Sequence, residues 1–530
     1  MGATREPSRS GLNVVTRGTL ILFAATLVLI GANFVWRVLL VRSLSPEDWD
    51  AFSDALAIAS VVATVGGIGL QNTLARNLPY STSDSERRAL VRIGLLYGGL
   101  SCGAIPVALY FVGPVLGSVT GSPAVTIGVQ VLGLAWAFQY AATLVTAIFQ
   151  GFEQVWPYAI FVQILGPALF VGLLAVAYAD RSIGISYTFA VWAAAAGYGI
   201  AFGLALVYTW VRLSRYLTPG PRTPGLTVPT LLFALPLFGV ALFSFLNGYG
   251  DTIVLGTTHF SDVGTYVASL TLVRLLPIGV TALSFIMLPV TARLLRDGER
   301  AAAETTFSTA TKWTTVFSLP LFLIFVFLPG PSLLLVYGPN YSSVTLPLMI
   351  AGTGGFLSTI VGPSAAVQVA FARTRLLLVN ASVSVAADVI LAIVLVPPFG
   401  MTGAAIAWAV AAVVYPALAV TELAFLDRIH PFRRTYVLPL AATAVPAALV
   451  LTALRFAYVP GWSLVPLGLL LALFYVFMIV ATRSVDRGDS ILLGVVERLL
   501  GMRLDLVRRF GSWGFRDENR ASAPRPPADP

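Results

Sequence analysis

The sequence predicts an all-α protein that crosses a membrane about fourteen times. Three observations carry this reading. Of 530 residues, 57% are hydrophobic and 11% charged, where a soluble globular chain is nearer about a quarter charged, so lipid is the solvent for most of the chain. From Thr19 to Ala481 the apolar residues fall into about fourteen stretches of bilayer-spanning length. Charge is also segregated: the tails, the even-numbered connections and the first turn of the third span (Arg92) together carry 28 of the 33 Lys and Arg, and the odd-numbered connections carry only Arg42, Arg181 and Arg455. Cytoplasmic loops retain Lys and Arg, which puts both termini and the even connections in the cytoplasm.

The predicted spans run Thr19–Val41, Ala51–Leu70, Ala89–Leu116, Val125–Phe149, Tyr158–Ala179, Ser186–Val211 and Pro229–Leu255. They continue as Thr265–Ala292, Trp313–Leu328, Val344–Ala370, Leu376–Val396, Gly403–Phe425, Val437–Phe456 and Leu464–Ala481. Helices are expected because lipid cannot satisfy open backbone groups and these runs are too uniformly apolar for barrel strands. The first run follows Arg5, Arg9 and Arg17 and is too long for a signal-peptide core, so it reads as an uncleaved first helix.

Composition removes several classes of function. The net charge of +9 sits in loops where topology alone places Arg, so nucleic acid is not expected as a partner. The single cysteine, Cys102, allows no intrachain disulfide or cysteine-based metal site, and His259 and His430 are far apart. No cofactor or metal is expected. No phosphate-binding glycine loop followed by Lys is present, hence no sign of direct ATP use. Connections are short, leaving no external segment large enough for a separate catalytic domain. The scarcity of Lys and the absence of a eukaryotic targeting signal point to a prokaryotic cell membrane.

An internal repeat runs at an offset of about 214 residues. Asp84-Ser85-Glu86-Arg87 is echoed by Asp297-Gly298-Glu299-Arg300, and Pro106 by Pro320. Gly184 and Trp192 are echoed by Gly400 and Trp408, and Asp48-Trp49-Asp50-Ala51-Phe52 by Asp262-Val263-Gly264-Thr265-Tyr266. Each unit holds six spans, an even number, so both share one orientation and the pseudo-symmetry axis follows the membrane normal. The expected layout is a cytoplasmic N-terminus (1–18), an N-lobe (19–211), a linker (212–228), a C-lobe (229–425) and two added spans (437–481). A basic amphipathic stretch (490–510), suited to anionic headgroups, and a disordered tail (511–530) follow.

An ionisable side chain inside a span costs roughly 2.5–3.5 kcal/mol on insertion scales, so each needs a reason. Arg37 lies in the first span, Asp251 in the seventh and Arg274 in the eighth; Arg37 and Asp251 are repeat-equivalent. Arg37, Arg274 and nearby Arg42 suit a phosphate-bearing ligand, because the guanidinium fork matches phosphate oxygens. Asp251 would pair with an Arg when the site is empty. The bland alternative for Arg37 and Arg42 is snorkelling beside Trp36 and Trp49. Asn33, Asp54, Gln71, Asn72 and Asn247 add polar surface or bridge helices. Glu153, Asp388 and Glu422 are candidates for coupling a cation.

Val41-Arg42-Ser43-Leu44-Ser45-Pro46-Glu47-Asp48-Trp49-Asp50-Ala51-Phe52 and Asp251-Thr252-Ile253-Val254-Leu255-Gly256 with Val263-Gly264-Thr265-Tyr266 resemble motifs of one family. That family is the oligosaccharide flippase branch of the multidrug/oligosaccharidyl-lipid/polysaccharide exporter superfamily. Asp50 stands where its members usually have Gly. The resemblance covers roughly residues 18–425 and implies two six-helix lobes around a central cavity lined by spans 1, 2, 7 and 8. It also implies alternating access, a lipid-linked oligosaccharide substrate, membrane lipids as surroundings and glycan-assembly enzymes as protein partners. The expected function is transfer of a polyprenyl-(di)phosphate-linked saccharide to the outer leaflet, and the chain is not expected to be an enzyme. The rivals are a cation-coupled drug exporter, a membrane glycan polymerase or glycosyltransferase, and a non-transporting scaffold. The first would want an acidic cavity, against the balance of Arg37 and Arg274 to Asp251; the second would want a large external loop or a carboxylate active site.

Overall fold

The computed structural model describes residues 9–67, 70–81, 83–152, 154–180, 183–217, 227–258, 260–371, 373–486 and 489. The basic amphipathic stretch, the tail and most of the 212–228 linker lie outside these residues.

Helix makes up most of every predicted span among the described residues. The first six are Arg9–Ser43, Pro46–Gly67, Asp84–Thr120, Pro123–Gly151, the composite Trp156–Tyr158, Ala159–Leu165 and Gly166–Ala179, and Tyr187–Leu217. Thr227–Thr258 is the seventh and Arg300–Phe327 the ninth; the tenth is split into Thr345–Thr359 and Ser364–Ala370. Thr374–Phe399, Met401–Leu426, Arg434–Leu454 and Leu464–Ala481 complete the series. Among the described residues, eleven stretches are long and apolar enough to cross a membrane, or twelve if the broken eighth span is one. The second and seventh helices are not in that count, so it stops short of the expected fourteen. Large apolar side chains such as Leu100, Phe111, Val211, Val450 and Leu473 face outward, the surface of a protein solvated by lipid. This is a multi-pass membrane protein.

Two departures from the predicted spans bear on function. The eighth span is interrupted: Val263–Val273 ends, residues 274–277 turn, and Ile278–Arg296 resumes. Pro277 closes that turn, and its missing N–H removes the hydrogen bond a continuous helix needs. Non-helical backbone at this depth is tolerated where it is buried in protein or lines a cavity. The second departure is an extra short helix, Leu70–Tyr80, whose Leu70, Leu74 and Leu78 are buried. Their spacing of four makes one apolar stripe.

Local signals explain the ends of the elements. Ser83 caps the third helix, its hydroxyl accepting from Glu86 N at 3.2 Å. Gly121, at φ 69°, stops that helix, and Pro123 opens the next. The repeat-equivalent Gly184 and Gly400 take the same left-handed backbone, φ 63° and 54°. Only glycine adopts it without a Cβ penalty.

The chain divides into two compact units. Unit 1 comprises Met1–Val273, Leu333–Ala351 and Leu378–Tyr415. One of its cores gathers Leu70, Leu74, Leu78, Leu90, Val91, Ile148, Phe149 and Leu213. Unit 2 comprises Arg274–Ser332, Gly352–Leu377 and Pro416–Pro530. Its core gathers Met287, Phe307, Val361, Val367, Val420, Leu423 and Ile429.

Candidate functional site

In unit 1 the first span carries Arg37 with its side chain buried. The guanidinium lies 4.5 Å from the Trp36 ring centre, and Nη1 donates to the Asn33 carbonyl at 3.3 Å. Asn33 Oδ1 in turn accepts from Trp36 Nε1 at 2.9 Å, so Asn33 and Trp36 together orient the cation. The Tyr198 and Tyr337 phenols are near enough to feel its charge. An aromatic face is a favourable seat for a desolvated guanidinium.

Arg42, five residues on, is exposed and otherwise engaged. Its Nε donates to Val336 O at 2.7 Å and its Nη2 to Leu335 O at 2.6 Å. These are carbonyls of the last turn of the helix Pro329–Tyr337, where a cation satisfies groups with no partner inside the helix. Tyr341 Oη donates to Val41 O at 3.4 Å and Tyr337 Oη to Ala268 O at 2.9 Å, adding to this odd-connection end.

The repeat-equivalent loops meet at the same end. Asp50 Oδ1 accepts from Gly264 N at 2.6 Å, and Trp49 Nε1 donates to Gly264 O at 2.7 Å. Asp50 and Gly264 are separated by 214 residues, the repeat offset, so equivalent positions face one another. A Cβ on Gly264 would collide with Trp49 Cδ1 and stand 2.9 Å from Asp50 N. Asp50 precedes the second apolar span. Burial pushes its carboxyl up to about 7, against the opposing pull of the Gly264 N–H, with Asp262, Glu47 and Asp54 adding to the rise.

A second polar group lies along the seventh and eleventh spans. Asp251 is fully buried, accepts from the Tyr266 hydroxyl and is 3.4 Å from Thr252 Oγ1. Beside it stands Asp388, also fully buried, with the Asp251 backbone N–H facing its carboxyl. Gly250 makes room for it: an added Cβ would lie 3.3 Å from Asp388 Oδ2. One turn before Asp388, Ser384 donates to Asn247 Oδ1 at 3.3 Å and to Ala411 O at 2.9 Å. Two carboxylates side by side, out of water, need a proton or a cation between them.

The remaining candidates are dispersed. Asp54 is buried against Gly256 of the seventh helix, where a Cβ would overlap its carboxylate. Arg274 is half-buried in the turn that breaks the eighth span. Gln71 is half-buried on the short helix Leu70–Tyr80, and the Asn72 side chain and Glu153 lie outside the described residues. Glu422, in unit 2, accepts from Gln368 Nε2. A cavity of about 530 Å³ between the even-connection ends of spans 4 to 6 is lined by Phe149, Phe152, Gln154, Trp156, Tyr208, Arg212 and Leu213, none of them a candidate above.

Sequence reasoning missed Tyr266, Ser384 and Gln163. Tyr266 was already in the repeated loop opposite Phe52, and Ser384 stands one helical turn from Asp388, so both had a signal. Gln163, in the wide-turn segment Ala159–Leu165, donates to Thr26 Oγ1 at 3.2 Å. Nothing in its sequence marks that bulge.

Residues 15–295, more than half of the chain, match the polysaccharide biosynthesis protein family. The chain belongs to that family. No curated protein matches it in sequence. Among solved structures, this family member resembles the lipid II flippase MurJ in an inward closed conformation. The TM-score is 0.68 at 16% identity, over 86% of this chain and 98% of that one. A multidrug resistance MATE family transporter of the MOP superfamily, in an inward-facing conformation, aligns with TM-score 0.58 at 15% identity, over 81% and 96%. A MOP superfamily transporter from Pyrococcus furiosus, titled for the reverse polarity of its binding pocket, aligns at 0.54 and 14% identity, over 80% and 98%. The fold is therefore shared with these transporters.

Proposed function

We propose that this family member is a flippase that moves a polyprenyl-(di)phosphate-linked oligosaccharide from the cytoplasmic to the outer leaflet of a prokaryotic cell membrane. In this reading it does so by alternating access between two six-helix lobes. The observation that carries the proposal is Arg37: a guanidinium buried in the first span, set on Trp36 and Asn33. Arg274, in the broken turn of the eighth span and part of unit 2, is proposed as a phosphate ligand from its charge alone. A discontinuous helix suits this role because its freed backbone polar groups need a polar cavity or ligand. The sugar and phosphates would occupy the polar cavity while the prenyl chain stays in lipid. Asn33, Asp54 and Asn247 add its polar lining. Arg42, spent on two backbone carbonyls, serves the closed outer end together with the Trp49–Asp50–Gly264 clamp. Membership of a polysaccharide biosynthesis family and the likeness to a lipid II flippase support this reading.

The membrane potential, negative inside, helps: each negative charge carried outward gains roughly 2.3 kcal/mol per 100 mV. The Asp251–Asp388 pair adds a place for a coupling proton or monovalent cation. That pair also favours the second reading, a cation-coupled drug exporter, to which the MATE likeness belongs.

Purified protein in liposomes carrying a fluorescent polyprenyl-diphosphate oligosaccharide separates the two. A flippase exchanges the lipid between leaflets and loses that exchange in Arg37→Ala and Arg274→Ala. Extrusion of small organic cations with no lipid exchange would establish the exporter instead.

A further inference from the structure

Lys312 is the only lysine in the chain, and neither phosphate binding nor cation coupling uses it. It lies in unit 2 on the ninth helix with 1% of its surface exposed. Its Nζ donates to Ser484 O at 2.8 Å and Asp489 Oδ2 at 2.8 Å, with Asp486 Oδ2 at 3.9 Å. Trp313 Nε1 donates to the other Asp489 oxygen at 2.6 Å, and Thr309 Oγ1 donates to Asp486 Oδ1 at 2.8 Å. Thr309, Lys312 and Trp313 are spaced three and four apart, so they form one face of the helix. All three reach the same short segment, residues 484–489, just beyond the last span.

That segment is shaped to be held. Arg483 turns the chain sharply, with φ 50°, a conformation that is strained for a side-chain-bearing residue. Ser484 N then bonds back to Ile479 O at 2.9 Å. Asp486 N donates to Asp489 Oδ2 at 2.7 Å, so the two carboxylates are pre-set toward Lys312. Tyr475 Oη, from the fourteenth helix, reaches the Lys312 carbonyl at 3.4 Å. An ordinary end of a last span needs none of this. A buried ammonium is a poor source of net stability, but it is a selective one, because only a matching acidic segment can neutralise it.

We propose that the Thr309–Lys312–Trp313 face is a receptor for the acidic segment 484–489. This lock fixes the origin of the basic stretch 490–510 to unit 2. This goes beyond the transport reading and is tested without any substrate.

Because Lys312 is the sole lysine, an amine-reactive reagent can modify only it and the N-terminal amine, which serves as an internal reference. In phosphatidylcholine vesicles containing phosphatidylglycerol, wild-type Lys312 should react at least about tenfold slower than the N-terminus, and an Asp486→Asn/Asp489→Asn variant should abolish that protection. Trypsin cleavage after Arg483 and Arg487 should rise in parallel. If that variant is poorly folded, Lys312→Met with Asp489→Leu, which leaves no unpaired charge at these two positions, carries the trypsin test alone. A Lys312 as reactive as the N-terminus in wild type overturns the lock. So does protection that survives loss of both carboxylates, or unchanged cleavage in the apolar pair.

Discussion

Arg37 in the first span and Asp251 in the seventh hold equivalent positions of the repeat, yet they carry opposite charges and are satisfied differently. Arg37 is served by a ring face and a backbone carbonyl, and the aromatic residue fifteen positions later, Phe52, has no polar atom and packs tilted against Trp36, ring centres 5.9 Å apart. Asp251 is served by the residue equivalent to Phe52, Tyr266, whose hydroxyl donates to it. A single oxygen therefore follows the sign of the charge: an acceptor was matched with a donor, and a cation was left with π density. The loops between show the same asymmetry. The first supplies the side chains of Trp49 and Asp50, and the second supplies a bare glycine to receive them. At the offset of 214 residues the two loops are thus complementary in their contacts, not alike.

Mutations can break this complementarity in order of size. Gly264→Val should have the largest effect, because the new side chain collides with Trp49 and the Asp50 backbone. We expect about 3 kcal/mol of destabilisation, read as a lower melting temperature in detergent. Tyr266→Phe should follow, at about 1–3 kcal/mol, since it strips a donor from a buried carboxylate, and Asp251→Asn made with it should recover part of the loss. If Tyr266→Phe were neutral, the hydroxyl would not be matching the charge.

Asp50 gives a pH test of the clamp. Its carboxyl holds a proton up to about 7 when closed, against 3.8 for the ordinary group. Between those values the closed state binds more protons than an opened, hydrated one. Raising pH through that window therefore weakens the clamp, and above about 7 the full penalty is present. Solvent labelling of a cysteine placed at Gly264 is unsuitable, since the position tolerates no side chain; a cysteine at buried Ser53, its rate divided by that of a free thiol at each pH, should label faster as pH rises from 5 to 8. Asp50→Asn should flatten that dependence. Arg42→Ala should have the smallest effect, about 1 kcal/mol, because the freed carbonyls can turn to water.

Much of the fold was legible because lipid imposes a simple code. Apolar run length located the long helices but not the short Leu70–Tyr80 and Pro329–Tyr337, and the Gly184/Gly400 echo marked two turns that share one backbone conformation. Residues 274–277 were not legible as a break, since Pro277 alone is compatible with a kinked but continuous helix. The site was legible as charges and not as partnerships. Arg37 and Asp251 stood out because ionisable groups are rare in spans. Arg42 looked like their companion until its fork proved to be spent on Leu335 and Val336. Asp388 read as one isolated carboxylate, because its nearness to Asp251 depends on helix packing across more than a hundred residues of chain.

The most direct test of the central claim is leaflet exchange of a fluorescent polyprenyl-diphosphate oligosaccharide in proteoliposomes, comparing wild type with Arg37→Ala. The account predicts protein-dependent exchange that collapses in the variant while the protein stays folded. Undiminished exchange in Arg37→Ala, or none with folded wild type alongside extrusion of organic cations, would contradict it.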